Sequence, residues 1–130
     1  VKTFELDHLV TDIILLTESS RTKNNITLRT NSKANCEVRY QQDTINVMLV
    51  ALTRLSSLQT KTGFEIMIHT NEEAEVLKQV IECKFKDNID ILKFFADFNN
   101  LDHVCFSLDQ KNNINRIEIV FQKINQVTLV

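Results

Sequence analysis

Few residues of this chain combine a reactive side chain with the spacing that a reaction needs. The histidines His69 and His103 have no cysteine or second histidine at metal-ligand spacing, so we expect solvated or hydrogen-bonded imidazoles and no metal site. Ser56 and Ser57 could supply a nucleophile, but no general base or oxyanion motif accompanies them. The residue pattern alone therefore predicts no catalytic residue.

The cysteines indicate a reducing environment. Cys36, Cys83 and Cys105 are odd in number and far apart, and no pair has the CxxC spacing of a zinc site. Cys83 and Cys105 lie in alternating apolar stretches, which predicts that both are buried and behave as small hydrophobic residues. We therefore expect free thiols in a cytoplasmic protein.

Composition excludes several classes of function. A chain of 130 residues predicts one domain over 1–130, and because it starts with Val rather than Met we expect a piece of a larger protein. The formal net charge of −2 without a Lys/Arg block argues against nucleic acid as a partner. No apolar run approaches the roughly 18 residues of a membrane span, so no membrane contact is expected.

Glycine is nearly absent. The chain has one Gly and no Pro. Loops that cradle phosphates use glycine because the backbone must come close to the ligand and often adopts positive φ. The composition therefore argues against a nucleotide site built on a glycine-rich loop, and no cofactor is expected.

The element that must organise the rest is a long amphipathic helix that ends in a polar turn, from Gln42 to Gly63. Its apolar residues fall at i, i+3, i+4, i+7 and i+10 and are predicted to share one buried face: Ile45, Met48, Leu49, Leu52 and Leu55. Its other face is the natural place to look for a site.

The remaining pattern alternates helices with antiparallel strands. Asp7 is predicted to cap a first helix whose apolar stripe includes Leu16, and the polar run from Glu18 to Asn25 is predicted to be a turn. The other predicted elements are strands at 4–6, 25–29 and 36–40, a hairpin at 64–85, a short helix at 91–98 and a second hairpin at 104–121. The sum predicts an α/β (α+β) two-layer sandwich, with a mixed, mostly antiparallel sheet and helices on one face.

The order and spacing of these segments resemble a known family. FELDHLVTDIILL, KNNITLR, CEVRY and QQDTINVMLVALTRLSSLQT, which lie between Phe4 and Thr60, are similar to the opening of the ATP-binding catalytic domain of sensor histidine kinases. This domain is also called HATPase, and its fold the Bergerat or GHKL fold. The resemblance implies that fold over the whole chain, although the second half matches only in strand order.

The same resemblance implies that several of the family's nucleotide-binding residues are replaced in this chain. The family has asparagines on the central helix, one of which coordinates Mg²⁺, and the matching positions here are Ala51 and Leu55. Neither side chain can bind a metal that requires hard oxygen ligands. The family's Asp-x-Gly-x-Gly motif, whose Asp contacts adenine, corresponds to Lys86, Asn88 and Asp90, or to Asp87 after a one-residue slip.

The replaced motifs lead to a functional hypothesis. We expect a catalytically inactive, pseudokinase-type domain that does not bind ATP and acts as a protein-interaction or regulatory module in two-component or phosphorelay signalling. The partners that the resemblance implies are a response regulator receiver domain or a histidine-containing helical hairpin. The alternatives are a diverged ATP-binding domain that reads adenine through Asp87 or Asp90, and an unrelated interaction module with an accidental likeness.

Two aromatic residues are candidates for an interface. Phe94 and Phe95 are adjacent on a predicted helix and cannot both point inward. Core packing is the favoured interpretation for the pair, but one of the two rings could be exposed and contact a partner.

Overall fold

The computed structural model describes five stretches of the chain, namely residues 2–31, 37–85, 91–98, 101–109 and 112–124. The strands in these stretches are β1 (Thr3–Glu5), β2 (Ile26–Thr30), β3 (Glu37–Arg39), β4 (Phe64–Glu72), β5 (Val76–Phe85), β6 (Val104–Asp109) and β7 (Ile114–Gln122). The helices are α1 (Leu6–Leu16), α2 (Glu18–Lys23), α3 (Gln42–Ser56) and α4 (Ile91–Phe94), which a 3₁₀ turn at Ala96–Phe98 follows. Within these stretches no helix is long and apolar enough to cross a bilayer.

Five of the strands form one mixed sheet with the order β2-β4-β5-β7-β6. The β2–β4 pair is parallel, and the other pairs in this sheet are antiparallel. Strands β1 and β3 form a separate antiparallel pair. The predicted mixed, mostly antiparallel sheet is therefore confirmed.

The core lies between α1 and α3 on one side and one face of the large sheet on the other. The alternating residues Phe64, Ile66 and Ile68 of β4 are buried, as the period of two predicted. They join Met48 and Leu52 of α3 in one hydrophobic cluster. This packing confirms a two-layer sandwich with helices on one face of the sheet.

Two predictions about the N-terminal helices are wrong. Helix α1 begins at Leu6, so Asp7 lies in its first turn and Glu5 occupies the N-cap position without a side-chain capping bond. The run from Glu18 to Asn25 is mostly helix α2 rather than a turn. Because this run has neither Gly nor Pro, nothing in it prevents a second short helix from following α1 directly.

Two leucines that were predicted to be buried are exposed. Leu16 is 73% exposed because the inner face of α1 is formed by Leu6, Val10 and Ile13. Leu49 is 37% exposed because the buried face of α3 is rotated toward smaller residues that the apolar pattern did not include, namely Thr44, Val47, Ala51 and Ser56. Met48, Leu52 and Leu55 of the predicted face are buried.

The single glycine lies where two backbones meet at the start of the parallel strand pair. Gly63 has φ of 75°, and a Cβ at this position would lie 2.1 Å from the carbonyl oxygen of Asn25. Asn25 itself has φ of 58°, so the chain passes from α2 into β2 through a left-handed residue. No other residue type can replace Gly63 without moving the chain that leads into β2.

The cysteine predictions are partly confirmed. Cys83 and Cys105 are free thiols. Cys83 is fully buried, and this burial raises the pKa of its thiol. Cys105 is exposed, so the prediction that it is buried is wrong, and Cys36 lies outside the described residues.

Candidate functional site

The candidate site is the face of α3 that carries Ala51 and Leu55. Both residues have 0% of their surface exposed, and both belong to the main hydrophobic cluster. Leu58, in the turn after α3, is half-buried against the same cluster. This face of the helix is therefore part of the core and not the wall of an open cleft.

Arg54 on α3 joins this face to the segment after β5. Its Nη1 and Nη2 donate hydrogen bonds of 2.7 Å to Oδ1 and Oδ2 of Asp97, which gives a bidentate ion pair. The guanidinium carbon also lies 5.1 Å from the ring centre of Phe98 and 5.7 Å from that of Phe95. These contacts hold the 3₁₀ turn Ala96–Phe98 against the last turns of α3.

The aromatic rings under Arg54 form a stack. The ring of Phe95 lies 5.3 Å from that of Phe98 and 5.8 Å from that of Phe106, with interplanar angles of 28° and 27°. Phe94 contacts Phe95 edge to face at 5.0 Å. Phe95 is fully buried, as the core-packing interpretation predicted, and Phe94 is half-buried, so an interface at this pair stays a prediction.

The ion pair changes the titration of both partners. The hydrogen bond from Arg54 is the main cause that lowers the pKa of Asp97, and the same bond raises the pKa of Arg54. The aspartate is therefore stabilised in its charged form in the folded state.

We expect the Asp97→Asn variant to be less stable than the parent chain only where Asp97 is ionised. Because the folded-state pKa is below its ordinary value of 3.8, the contribution is fully present above that value and disappears as the pH falls through the folded-state pKa. Urea unfolding of both proteins from pH 7 to the acid limit of folding measures this difference. A difference that does not change with pH would show that the ion pair does not contribute to stability.

A second polar cluster lies where α2 meets the end of α3, and the sequence did not predict it. Arg21 is only 5% exposed. It donates hydrogen bonds to Oγ1 of Thr17, to the carbonyl of Ile14 at 2.7 Å and to Oγ of Ser56 at 3.4 Å. Burial lowers the pKa of Arg21. These bonds attach α2 to the core beside Ser56, which is fully buried.

The histidines are dispersed. His69 forms a hydrogen bond with Glu82, which also accepts a 3.4 Å bond from Arg116. Burial raises the pKa of Glu82, but the bonds from His69 and Arg116 outweigh that effect and hold the pKa below its usual value. His8 is exposed and pairs with Glu5. In the described part of the chain no three His, Cys, Asp or Glu residues are placed to hold a metal ion.

The structure leaves one predicted region untested. Lys86, Asp87, Asn88 and Asp90 lie outside the described residues. Their correspondence to the family's adenine-binding motif therefore stays a prediction.

Comparison with solved structures identifies the fold. The catalytic domain of histidine kinase ThkA in a nucleotide-free form superposes with a TM-score of 0.72 at 14% identity, over 94% of this chain and 96% of that domain. Histidine kinase AdeS of Acinetobacter baumannii superposes with a TM-score of 0.69 at 9% identity, over 95% of this chain and 68% of AdeS. No family model and no curated protein sequence matches the chain.

The chain has the fold of a histidine kinase catalytic domain. The superpositions cover nearly all of the chain, so the fold extends through the second half, where the sequence matched only in strand order. The alternative of an unrelated module with an accidental likeness to the family is therefore set aside, because the fold itself is the same. Identities of 9% to 14% show the fold only, and the chemistry depends on the residues of this chain.

Proposed function

We propose that this chain is a catalytically inactive domain of the histidine kinase type, which does not bind ATP and acts by protein contact in two-component or phosphorelay signalling. The observation that carries the proposal is the burial of Ala51 and Leu55, both at 0% exposure. The resemblance places the family's two helix asparagines at these positions. Hydrocarbon side chains inside the core cannot coordinate Mg²⁺ or contact a nucleotide phosphate.

The packing next to these residues supports the same conclusion. In the order of elements, the segment Ile91–Phe98 follows the position of the family's glycine motif. Here its 3₁₀ turn is held to α3 by the Arg54–Asp97 pair and by the rings under Arg54. If a nucleotide were to bind against this face of α3, the segment would have to leave the helix, which would expose Phe95 and Phe98 to water.

The proposed partner is a response regulator receiver domain or a histidine-containing helical hairpin. One structural neighbour, histidine kinase ThkA, has been solved in complex with the response regulator TrrA, with a TM-score of 0.68 at 13% identity over 95% of this chain and 42% of that one. That complex supports a protein partner for a domain of this fold.

Thermal unfolding with and without nucleotide tests the proposal. A ligand at 100 times its Kd stabilises a protein by about 2.7 kcal/mol, which shifts the Tm of a domain of this size by about 10 °C. We expect no shift at about 5 mM ATP with Mg²⁺, a concentration that would give this effect for a Kd of about 50 μM. A saturable shift would contradict the proposal, and its loss in Asp87→Ala would favour the diverged ATP-binding alternative.

A further inference from the structure

The segment Ile91–Phe98, called the strap below, lies in the connection between β5 and β6. These two strands are separated in the sheet by β7, so the connection crosses from one side of β7 to the other. The strap's backbone bonds are local, from the N–H of Phe98 to the carbonyl of Phe95 at 2.9 Å and from the N–H of Leu101 to the carbonyl of Phe98 at 3.2 Å. In the described part of the chain no backbone hydrogen bond joins the strap to a strand or to α3, so it can move without breaking the sheet.

The strap is too short to keep its shape alone. Helix α4 has four residues and the 3₁₀ turn that follows it has three. An isolated helix in water needs about 12–15 residues before it is even marginally stable. The closed conformation therefore depends on side-chain contacts between the strap and the rest of the domain.

Two kinds of contact hold the strap closed. The rings of Phe95 and Phe98 are buried and stack on Phe106, which belongs to β6. The second contact is the bidentate ion pair of Asp97 with Arg54 on α3. The side chains of this pair are 56% and 34% exposed, so water and dissolved ions reach the ion pair and do not reach the rings.

The sheet is held together more extensively than the strap is held to it. Strand β5 pairs along nearly its whole length with β4 on one side and with β7 on the other. Unfolding of the sheet breaks both of these ladders, whereas opening of the strap breaks neither. Segments with few ties to the core open locally at a lower free energy than global unfolding requires.

We propose that the strap opens as a local unit while the sheet and α3 stay folded, and that the Arg54–Asp97 ion pair is the latch that sets how often it opens. In the open state Phe95 and Phe98 leave the core, and the side of Phe106 against which they stack is uncovered. The domain then exposes an apolar surface that the closed state hides. This opening needs no nucleotide, so it is independent of whether the chain binds ATP.

Hydrogen exchange of the folded chain, followed by NMR at neutral pH without nucleotide, tests local opening. The amides of Phe98 and Leu101 report on the strap, and those of β5 report on the sheet. The measurement is repeated in urea at concentrations below the unfolding transition. We expect the strap amides to exchange at a lower free energy and with a weaker dependence on urea than the β5 amides, because opening of the strap exposes less surface than global unfolding.

Variants of the ion pair test the latch. We expect Asp97→Asn and Arg54→Lys each to speed exchange at Phe98 and Leu101 by about 3–10-fold, because each removes the bidentate pair. The matched control is Glu73→Gln. Glu73 is 52% exposed and pairs with Lys78 on β5 at 3.0 Å, so this variant removes an ion pair of similar exposure away from the strap and should leave its exchange unchanged.

Either of two results would overturn the proposal. If the strap amides exchange with the same free energy and the same urea dependence as the β5 amides, the strap opens only when the whole domain unfolds. If Asp97→Asn and Arg54→Lys exchange like the parent chain, or no faster than Glu73→Gln, the ion pair is not the latch. ATP binding is measured separately, so a failure of the strap proposal leaves the proposed function standing, and ATP binding would contradict the proposed function alone.

Discussion

Leu55→Asn is expected to lower the free energy of unfolding by about 4 kcal/mol and to create no ATP binding. The substitution introduces the residue type that the resemblance predicts for the family at this position. Here Leu55 is fully buried among the residues of the core cluster. Replacing it removes well-packed methyl groups, which typically costs about 2–5 kcal/mol, and buries an amide without partners at a further 1–3 kcal/mol or so.

Urea unfolding measures this effect, and Leu49→Asn is the matched control. Leu49 is on the same helix but is 37% exposed, so the same change should cost less than about 1.5 kcal/mol. Both variants replace Leu with Asn on the same helix, so the change in helix propensity is the same in the two. The difference between their free energies of unfolding therefore measures the effect of burial at Leu55. If Leu55→Asn is as stable as Leu49→Asn, or binds ATP, this face of α3 lines an open cleft and the proposed function is wrong.

Phe95→Ala is expected to be nearly as destabilising, by about 3–5 kcal/mol, because it removes a fully buried ring from the core. Phe95 stacks with Phe98 and Phe106 and lies under the guanidinium of Arg54. Its loss removes the platform on which the Arg54–Asp97 pair rests. We therefore expect the segment Ile91–Phe98 to exchange its amide hydrogens faster in the variant.

Phe94→Ala is the control for this prediction. Phe94 is half-buried at the edge of the same cluster, so its truncation should cost clearly less than that of Phe95. Urea unfolding gives the two free energies, and hydrogen exchange reports on the segment. Equal costs for the two variants would show that the segment is not anchored through Phe95, and would weaken the argument that it blocks a nucleotide.

The elements that were predicted correctly are those with a strong local pattern. The alternation of Phe64, Ile66 and Ile68 identified a buried strand because side chains of a strand point to opposite faces in turn. The apolar spacing of α3 identified a helix because residues three and four apart lie on the same face of a helix. The resemblance added the order of strands, which no local pattern contains.

The errors arise where tertiary contacts decide the outcome. Apolar periodicity placed Leu49 on the inner face of α3, but the core selected the side with Ala51 and Thr44. The polar run from Glu18 looked like a turn because nothing in the sequence shows that Arg21 is bonded to Ser56 across the fold. Such pairings are decided by packing and not by propensity.

For the candidate site, too, one part could be predicted from the sequence and another part required the structure. The resemblance predicted that Ala51 and Leu55 stand where the family has asparagines, and this prediction was available from the sequence. The burial of Leu55 and the pairing of Arg54 with Asp97, which are 43 residues apart, required the structure. A sequence pattern can show that a metal ligand is missing, but only packing shows that the space is filled.

Isothermal titration calorimetry with ATP and Mg²⁺ tests the central claim most directly. A histidine kinase catalytic domain that binds ATP, measured in the same buffer, serves as the positive control. Our account predicts no saturable heat for this chain up to millimolar nucleotide. A binding isotherm with a micromolar Kd and one site per chain would contradict it.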